Sequence, residues 1–200
     1  MASLGQWRIW WVKRRWYERN RSWRRRRRLN RHAAEGGFFI RHPIDGEALE
    51  ALDSGRLEIG EGTLLEPGCW LTLSGEARIR IGEGCFLNKN TMLAAVELIE
   101  IGDHVMFANN CFVGDADHRY DDPTRPVTWQ GFEPQGPVHI GSNCWFGVGC
   151  VVTGGVEIGE RCVIGANSVV TRDLPPGVIA VGAPAQVIRE IEFRGVPPDS

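Results

Sequence analysis

IGSNCW, FGVGCV, VTGGVE, IGERCV, IGANSV and VTRDLP follow one another from Ile140 to Pro175, six residues at a time and without a slip. Position one is bulky and apolar: Ile140, Phe146, Val152, Ile158, Ile164, Val170. Position five is small or apolar: Cys144, Cys150, Val156, Cys162, Ser168, Leu174. Glycine, asparagine and aspartate fill much of the remainder. A helix would show a 3.6-residue period and a half-buried strand a period of two. A sustained period of six punctuated by glycine predicts a parallel β-helix, in which each block supplies one short strand and a turn.

The same phase appears upstream in pieces. IGEGTL and LEPGCW start at Ile59 and Leu65, IGEGCF and LNKNTM at Ile81 and Leu87, IGDHVM and FANNCF at Ile101 and Phe107. Between the pieces the register slips by a few residues, as short loops at coil corners would cause. Three blocks make one triangular coil, so residues 57–188 suffice for roughly six or seven coils. The expected organisation is all-β: a basic, partly helical arm over 1–35, a connecting segment over 36–56, the β-helix over 57–188 and a tail over 189–200. Strands at the two ends of such a stack lack partners and need covering.

Two hundred residues suit one domain, and 42 % hydrophobic residues suffice for a solenoid core. The net charge of −2 hides an asymmetry: residues 1–35 hold 12 basic residues against Glu18 and Glu35, a charge of +10, which leaves −12 for the remainder. In that arm Trp7, Trp10, Trp11, Trp16 and Trp23 alternate with arginines. Peripheral attachment to an anionic membrane face is the expected role. A disordered or subunit-packing arm is the alternative; nucleic acid, through the run Arg24 to Arg28, is not the expected partner. The first six-residue blocks begin only near Leu57, so deleting residues 1–35 is expected to spare the β-helix. No apolar run approaches the ~18 residues of a spanning helix, and the N-terminus lacks the uninterrupted apolar stretch of a signal peptide. The expected location is the cytoplasm, at the inner face of the membrane where the arm attaches.

Cys69, Cys85, Cys111, Cys144, Cys150 and Cys162 all occupy position five of their blocks. That position points into the coil, where a free cysteine behaves as a small buried hydrophobe. There is no CxxC pair, so neither a metal nor a disulfide framework is expected. Six such thiols favour a reducing compartment.

The repeat breaks once. After Val113 the chain reads GDADHRYDDPTRPVTWQGFEPQGPVH before resuming at Ile140. A protruding loop over 114–137 on a rigid scaffold is where chemistry is expected. It carries His118 among Asp115, Asp117, Asp121 and Asp122. Histidine is the side chain best placed to move a proton near neutral pH. The competing reading is a solvated acidic loop with an incidental histidine.

IGDHVMFANNCFVGDADH, followed by IGSNCWFGVGCVVTGGVEIGERCVIGANSVVTRDLPPGVIAVGAPAQVIREI, resembles the hexapeptide-repeat acetyltransferases, and within them the galactoside and maltose O-acetyltransferase group. The resemblance covers about residues 57–191 and is most specific from Ile158 to Ile191. It implies a left-handed β-helix, a homotrimer, an active site between subunits, and transfer of an acetyl group from acetyl-CoA to a hydroxyl, or less readily an amine, of a sugar or glycan-like acceptor. It implies His118 as general base and Asn88 facing acceptor and thioester; for Asn88 a turn residue in the left-handed conformation is the alternative. Asp115 or Asp117 would orient His118. On the CoA side it implies Trp145, Ala166, Thr171, Arg172 and Arg189, the arginines meeting phosphate. Gln186 departs from the arginine of many relatives. So does the stretch Ala94, Ala95, Val96, where sugar acetyltransferases carry an acidic residue, and residues 1–35 replace the usual acceptor-binding segment. The acceptor is therefore not expected to be a simple galactoside or maltose. A non-catalytic trimeric scaffold, or a metalloenzyme like the γ-carbonic anhydrases, is the alternative from the same fold.

Overall fold

A computed structural model describes residues 23–193. Most of them wind into a three-sided parallel solenoid. The first face runs through Phe39–Ile40, Leu64–Leu65, Phe86–Leu87, Met106–Phe107, Trp145–Phe146, Val163–Ile164 and Val178–Gly182. The second stacks Asp45–Gly46, Trp70–Leu73, Met92–Ala95, Phe112–Gly114, Val151–Val152 and Val169–Val170. The third stacks Leu57–Ile59, Arg78–Ile81, Leu98–Ile101, Val138–Ile140 and Glu157–Ile158. Within the long repeat Trp145 pairs with Val163 and Val151 with Val169, three blocks on, so three blocks do close one coil.

The six positions have separate physical jobs. Position one fills the core: Leu65, Leu87, Phe107, Phe146, Ile158 and Ile164 are all fully buried. Phe107 and Phe146 stack on adjacent coils with ring centroids 4.5 Å apart. Position two is glycine at the corner after each isoleucine, because the next coil leaves no room. A Cβ on Gly60 would lie 2.5 Å from the Gly82 carbonyl carbon, and one on Gly82 2.6 Å from that of Gly102. Position four is left-handed: Asn90, His104, Asn110, Asn143, Arg161 and Asn167 have φ between 56° and 61°, and glycine stands at the equivalent corners Gly62, Gly68 and Gly84. Asparagine and glycine tolerate that conformation best. Asn88 is not left-handed; the left-handed residue of its block is Asn90.

Position five does more than fill space. The Cys85 thiol donates to the Gly102 carbonyl at 3.1 Å, Cys111 to Gly147 at 3.2 Å and Cys150 to Gly165 at 3.1 Å. The Thr63 hydroxyl makes the same bond to Gly82 at 2.7 Å. A small donor there gives a corner carbonyl of the next coil a hydrogen-bond partner inside the core. All six cysteines are free and buried. Burial pushes the Cys69 thiol up to about 12 and raises that of Cys85.

The stack reaches further upstream than the six-residue pattern predicts. Phe39–Ile40 and Asp45–Gly46 pair in parallel with Leu64–Leu65 and Trp70–Leu73, inside the expected connecting segment. That first coil escapes the pattern because helix α2 (Ala48–Asp53) stands where further strand would be. Helix α1 (Trp23–Gly36) covers the N-terminal end. Its Leu29 and Ala33 join the core, and Arg25, only 4 % exposed, bonds to the Gly46 carbonyl and to Glu50, each at 2.8 Å. Arg28 and His32 share Asp53. The expectation that residues 1–35 can be deleted without touching the β-helix is thus incorrect: the last third of that segment is the cap of the stack. At the other end Ala185–Glu190 folds back antiparallel on Val178–Gly182 and ends the parallel ladder.

Leu29→Ala should lower unfolding free energy by about 2–5 kcal/mol, the usual range for an emptied leucine site, as read by urea denaturation. A change below about 0.5 kcal/mol would show that the cap is not part of the core. In the native protein the thiols of Cys69 and Cys85 should resist an aromatic disulfide reagent for as long as the fold persists and react on denaturation. Rapid native labelling would contradict their burial.

Candidate active site

The slips in the six-residue register build the site. Trp70–Leu73 and Met92–Ala95 are four residues long where later strands of the second face have three or two. The outward side chains of these lengthened strands and of their extensions, Thr72, Ser74, Met92, Ala94 and Val96, form a wall at the edge between the second and third faces. In the next coil the loop leaves at that edge. Its first arm, Ala116–His118, pairs antiparallel with its last, Phe132–Pro134. Wall and arms enclose a cavity of about 270 Å³ with His118 and Phe132 at its rim. Phe112 lies outward on the cavity floor; a Cβ on Gly114 would lie 2.6 Å from its ring, so the glycine makes room for it.

The loop is held by its own polar groups. Asp122 accepts from the backbone N–H and hydroxyl of Thr124, which lowers its pKa, and the Gln130 amide spans the Asp122 and Arg125 carbonyls. Arg119 reaches Glu133 at 3.3 Å across the two arms. The return is pinned where Gln135 donates to the Asp115 carbonyl and Gly155 to the Gly136 carbonyl.

His118 is exposed and makes no side-chain hydrogen bond among the described residues. Its ring stacks at a tilt on Phe132, centroids 4.6 Å apart. Asp115 does not orient it. That carboxylate is fully buried and accepts three backbone N–H groups, Val96 at 2.7 Å and Glu97 and Leu98 at 2.8 Å each. It fixes the bend carrying Val96 and has no oxygen aimed at the loop histidine. Asp117 lies beside His118 on the exposed arm with no bond to it.

The other sequence candidates divide between the two edges of the second face. Thr171 and Arg172 follow Val169–Val170 and share His118's edge. Asn88 precedes Met92–Ala95 and Ala166 precedes Val169–Val170, at the opposite edge, with Trp145, half exposed, on the adjoining first face. Arg189 lies exposed on the return strand opposite Ile179. One chain therefore does not gather Asn88 and His118 around one cavity. The Asn88 carboxamide oxygen accepts the Lys89 N–H at 3.0 Å, which turns its NH₂ into the free end. Sequence reasoning missed Thr72, Ser74, Phe112 and Phe132; the signal for the first two was the register slip itself, and nothing in the period pointed to the aromatics.

The five histidines stand apart: His32 bonds Asp53, His42 bonds Asn30 at 2.8 Å, His139 faces Glu100 at 3.1 Å, and His104 turns a corner. Among the described residues no three of His, Cys, Asp or Glu cluster to hold a metal ion.

Comparison with known proteins places this geometry. The family model described as "Hexapeptide repeat of succinyl-transferase" matches residues 137–172. The galactoside O-acetyltransferase of Escherichia coli K12 is 35 % identical over 158 residues, covering 78 % of this chain and 75 % of that protein. A probable acetyltransferase of Mycobacterium tuberculosis H37Rv, Rv3034c, is 39 % identical over 132 residues, but this chain spans only 44 % of its length. The crystal structure of a hexapeptide-repeat acetyltransferase from Vibrio cholerae O1 biovar eltor complexed with acetyl coenzyme A superposes with a TM-score of 0.62 at 30 % identity, covering 84 % of this chain and 88 % of that one.

Asp115→Ala leaves three backbone N–H groups without their acceptor. At about 1–3 kcal/mol for a buried group left unpaired, it should destabilise the protein by at least that amount in urea titration. A neutral result would remove Asp115 as the anchor of the cavity wall.

Proposed function

This chain belongs to the hexapeptide-repeat acetyltransferases, and we propose that it moves an acetyl group from acetyl-CoA to a hydroxyl of a sugar or glycan-like acceptor with His118 as general base. The observation that carries the reading is His118 itself: a loop imidazole with no side-chain hydrogen bond among the described residues, at the mouth of a cavity that the scaffold lengthens its strands to build. The acceptor proton passes to the imidazole, the oxygen attacks the thioester carbonyl, the C–S bond breaks, and the departing thiolate recovers the proton. Phe132 supplies the orientation that a carboxylate supplies in other histidine bases. The NH₂ of Asn88, free because its oxygen is held by Lys89, suits the oxyanion of the tetrahedral intermediate.

The two edges explain why the enzyme would be a homotrimer. His118, Thr171 and Arg172 line one edge of the second face, Asn88 and Ala166 the other. Around a three-fold axis the first edge of one subunit meets the second edge of its neighbour, and a complete site forms between them. Trp145 then flanks the pantetheine, while Arg172 and Arg189 meet CoA phosphate.

Helix α1 sharpens the membrane proposal. Arg25 and Arg28 are consumed in the cap, but Arg24, Arg26, Arg27 and Arg31 face solvent beside Trp23, which is 66 % exposed. These cations, with the basic residues of 1–22 that lie outside the described residues, would hold each subunit to an anionic leaflet from the cytoplasmic side, at about 1 kcal/mol per cation. A membrane-held enzyme fits an acceptor from a lipid-linked or envelope glycan.

His118→Ala should leave CoA binding intact and cut transfer by about 10²–10⁴-fold; near-normal CoA release on the true acceptor would sink the base assignment. Light scattering should give three times the 22.3 kDa chain mass. Replacing Arg24, Arg26, Arg27 and Arg31 together by glutamine should weaken co-sedimentation with anionic vesicles at low salt while leaving the melting transition in place. Equal sedimentation of both proteins would refute the contact through α1.

A further inference from the structure

His118 owes its place to the hairpin that carries it, and that hairpin has two unlike faces. Ala116–His118 pairs with Phe132–Pro134, so His118 lies opposite Phe132 and Asp117 opposite Glu133. Directly opposed residues share a face of a ribbon, and successive ones alternate. The face toward the cavity carries His118 and Phe132, whose rings pack with centroids 4.6 Å apart. The face turned away lines a groove with Asp117, Arg119, Asp121, Glu133 and Gln135, three carboxylates to one guanidinium.

That composition works against a two-stranded ribbon. Asp117 and Glu133 stand in register, and like charges directly opposite push two strands apart. The ribbon is a two-stranded sheet of its own, separate from the three faces of the solenoid, and two strands alone are marginal. Arg119 offsets the repulsion. Its Nε lies 3.3 Å from Glu133 Oε2 and 3.8 Å from Asp121 Oδ1, and its backbone N–H extends the ladder to the Gly131 carbonyl at 3.0 Å. No other lysine or arginine lines this groove among the described residues; Arg125 of the same loop bonds the Trp129 carbonyl instead. An exposed ion pair contributes little to the stability of a whole protein. Here it bears on something smaller: whether a marginal ribbon stays closed, and so whether Phe132 stays against the imidazole.

We propose that Arg119 is a positioning residue for His118: by neutralising the face that Asp117 and Glu133 share, it keeps the two arms paired, and the paired arms hold the imidazole on Phe132 at the mouth of the cavity. The guanidinium does not touch the reacting atoms. It acts from the far side of the ribbon, through the pairing of the strands. Glu133 is the carboxylate that creates the need, because it is the one directly opposite Asp117. Removing Glu133 therefore removes the requirement for Arg119. The proposal rests on the reading of His118 as the general base.

The test reads the ring contact itself, by NMR of the full-length protein labelled with ¹³C at histidine Cε1. The chain has five histidines, and His118→Ala identifies the signal of the loop residue by its loss. Packing on Phe132 displaces that signal upfield, and Phe132→Leu should abolish the displacement. Arg119→Gln should abolish it too, while Arg119→Lys keeps most of it. Glu133→Gln alone should keep it, and Glu133→Gln added to Arg119→Gln should restore it. The melting temperature should stay at the parent value throughout the series, since the ribbon lies outside the core. A displacement that survives Arg119→Gln, that is lost equally in Glu133→Gln, or that the double substitution does not restore would overturn the proposal. So would a fall in the melting temperature of Arg119→Gln that Glu133→Gln does not reverse, which would make the effect one of folding. The base reading fails separately: near-normal transfer by His118→Ala would remove it, whereas this series reports only what holds the ring in place.

Discussion

The closeness of one coil to the next governs everything else in this molecule. Before the C-terminal hairpin each strand is two to four residues long, too short to persist alone, and most acquire partners only because neighbouring coils approach within backbone hydrogen-bonding reach. At the corners that approach leaves no space for a side chain. The column Gly60, Gly82, Gly102, Gly141, Gly159 marks it, since a Cβ at each would fall 2.3–2.7 Å from the next coil. Once the corners are that tight, the residue two places on must reverse the chain within a single left-handed step, and asparagine or glycine takes it. The carbonyl at the tight corner is then buried, and a thiol or hydroxyl from position five of the coil before it satisfies it. The period of six is thus one steric constraint with two consequences.

A scaffold this repetitive can make a site only where it departs from repetition. Two kinds of departure coincide here. Strands of the second face lengthen in two successive coils, and in the third the chain leaves the solenoid altogether. Asp115 couples them. It stands where the loop begins, yet its carboxylate reaches down to the bend of the coil before, so loop and wall share one buried anchor. A carboxylate buried this completely needs hydrogen-bond donors, and the three backbone N–H groups supply them. That requirement holds Asp115 on the wall, and the His118 ring packs on Phe132 instead.

Most of the architecture was legible because a six-residue period has no other physical meaning. What stayed hidden was local substitution within the architecture. The first coil replaces part of its third side with α2, so Phe39–Ile40 and Asp45–Gly46 carry no period. The run Arg24 to Arg28 reads as one solvated patch until helical geometry turns Arg25 and Leu29 to the same buried side. The position of His118 could be named from the break in the repeat, but its neighbours could not. Asp115 and Asp117 look equivalent in sequence; Asp115 stands buried at the break between Phe112–Gly114 and Ala116–His118, where the chain leaves the solenoid, and Asp117 stands on the exposed arm beyond it.

Strand alternation does separate roles along the wall beside the loop. Along Met92–Ala95 the inward side chains Leu93 and Ala95 are constrained by the core, while Met92 and Ala94, and Val96 beyond them, are not. A residue released from packing is open to polar replacement at little cost in stability, yet three successive outward positions beside His118 are apolar. Solenoid stability does not require that. The outward positions of the third face, Glu58, Arg80 and Glu100, carry ion pairs, whereas the first face turns Phe39, Met106 and Trp145 outward. Met92, Ala94 and Val96 therefore give the His118 cavity an apolar wall at no cost to the core, which the inward Leu93 and Ala95 fill.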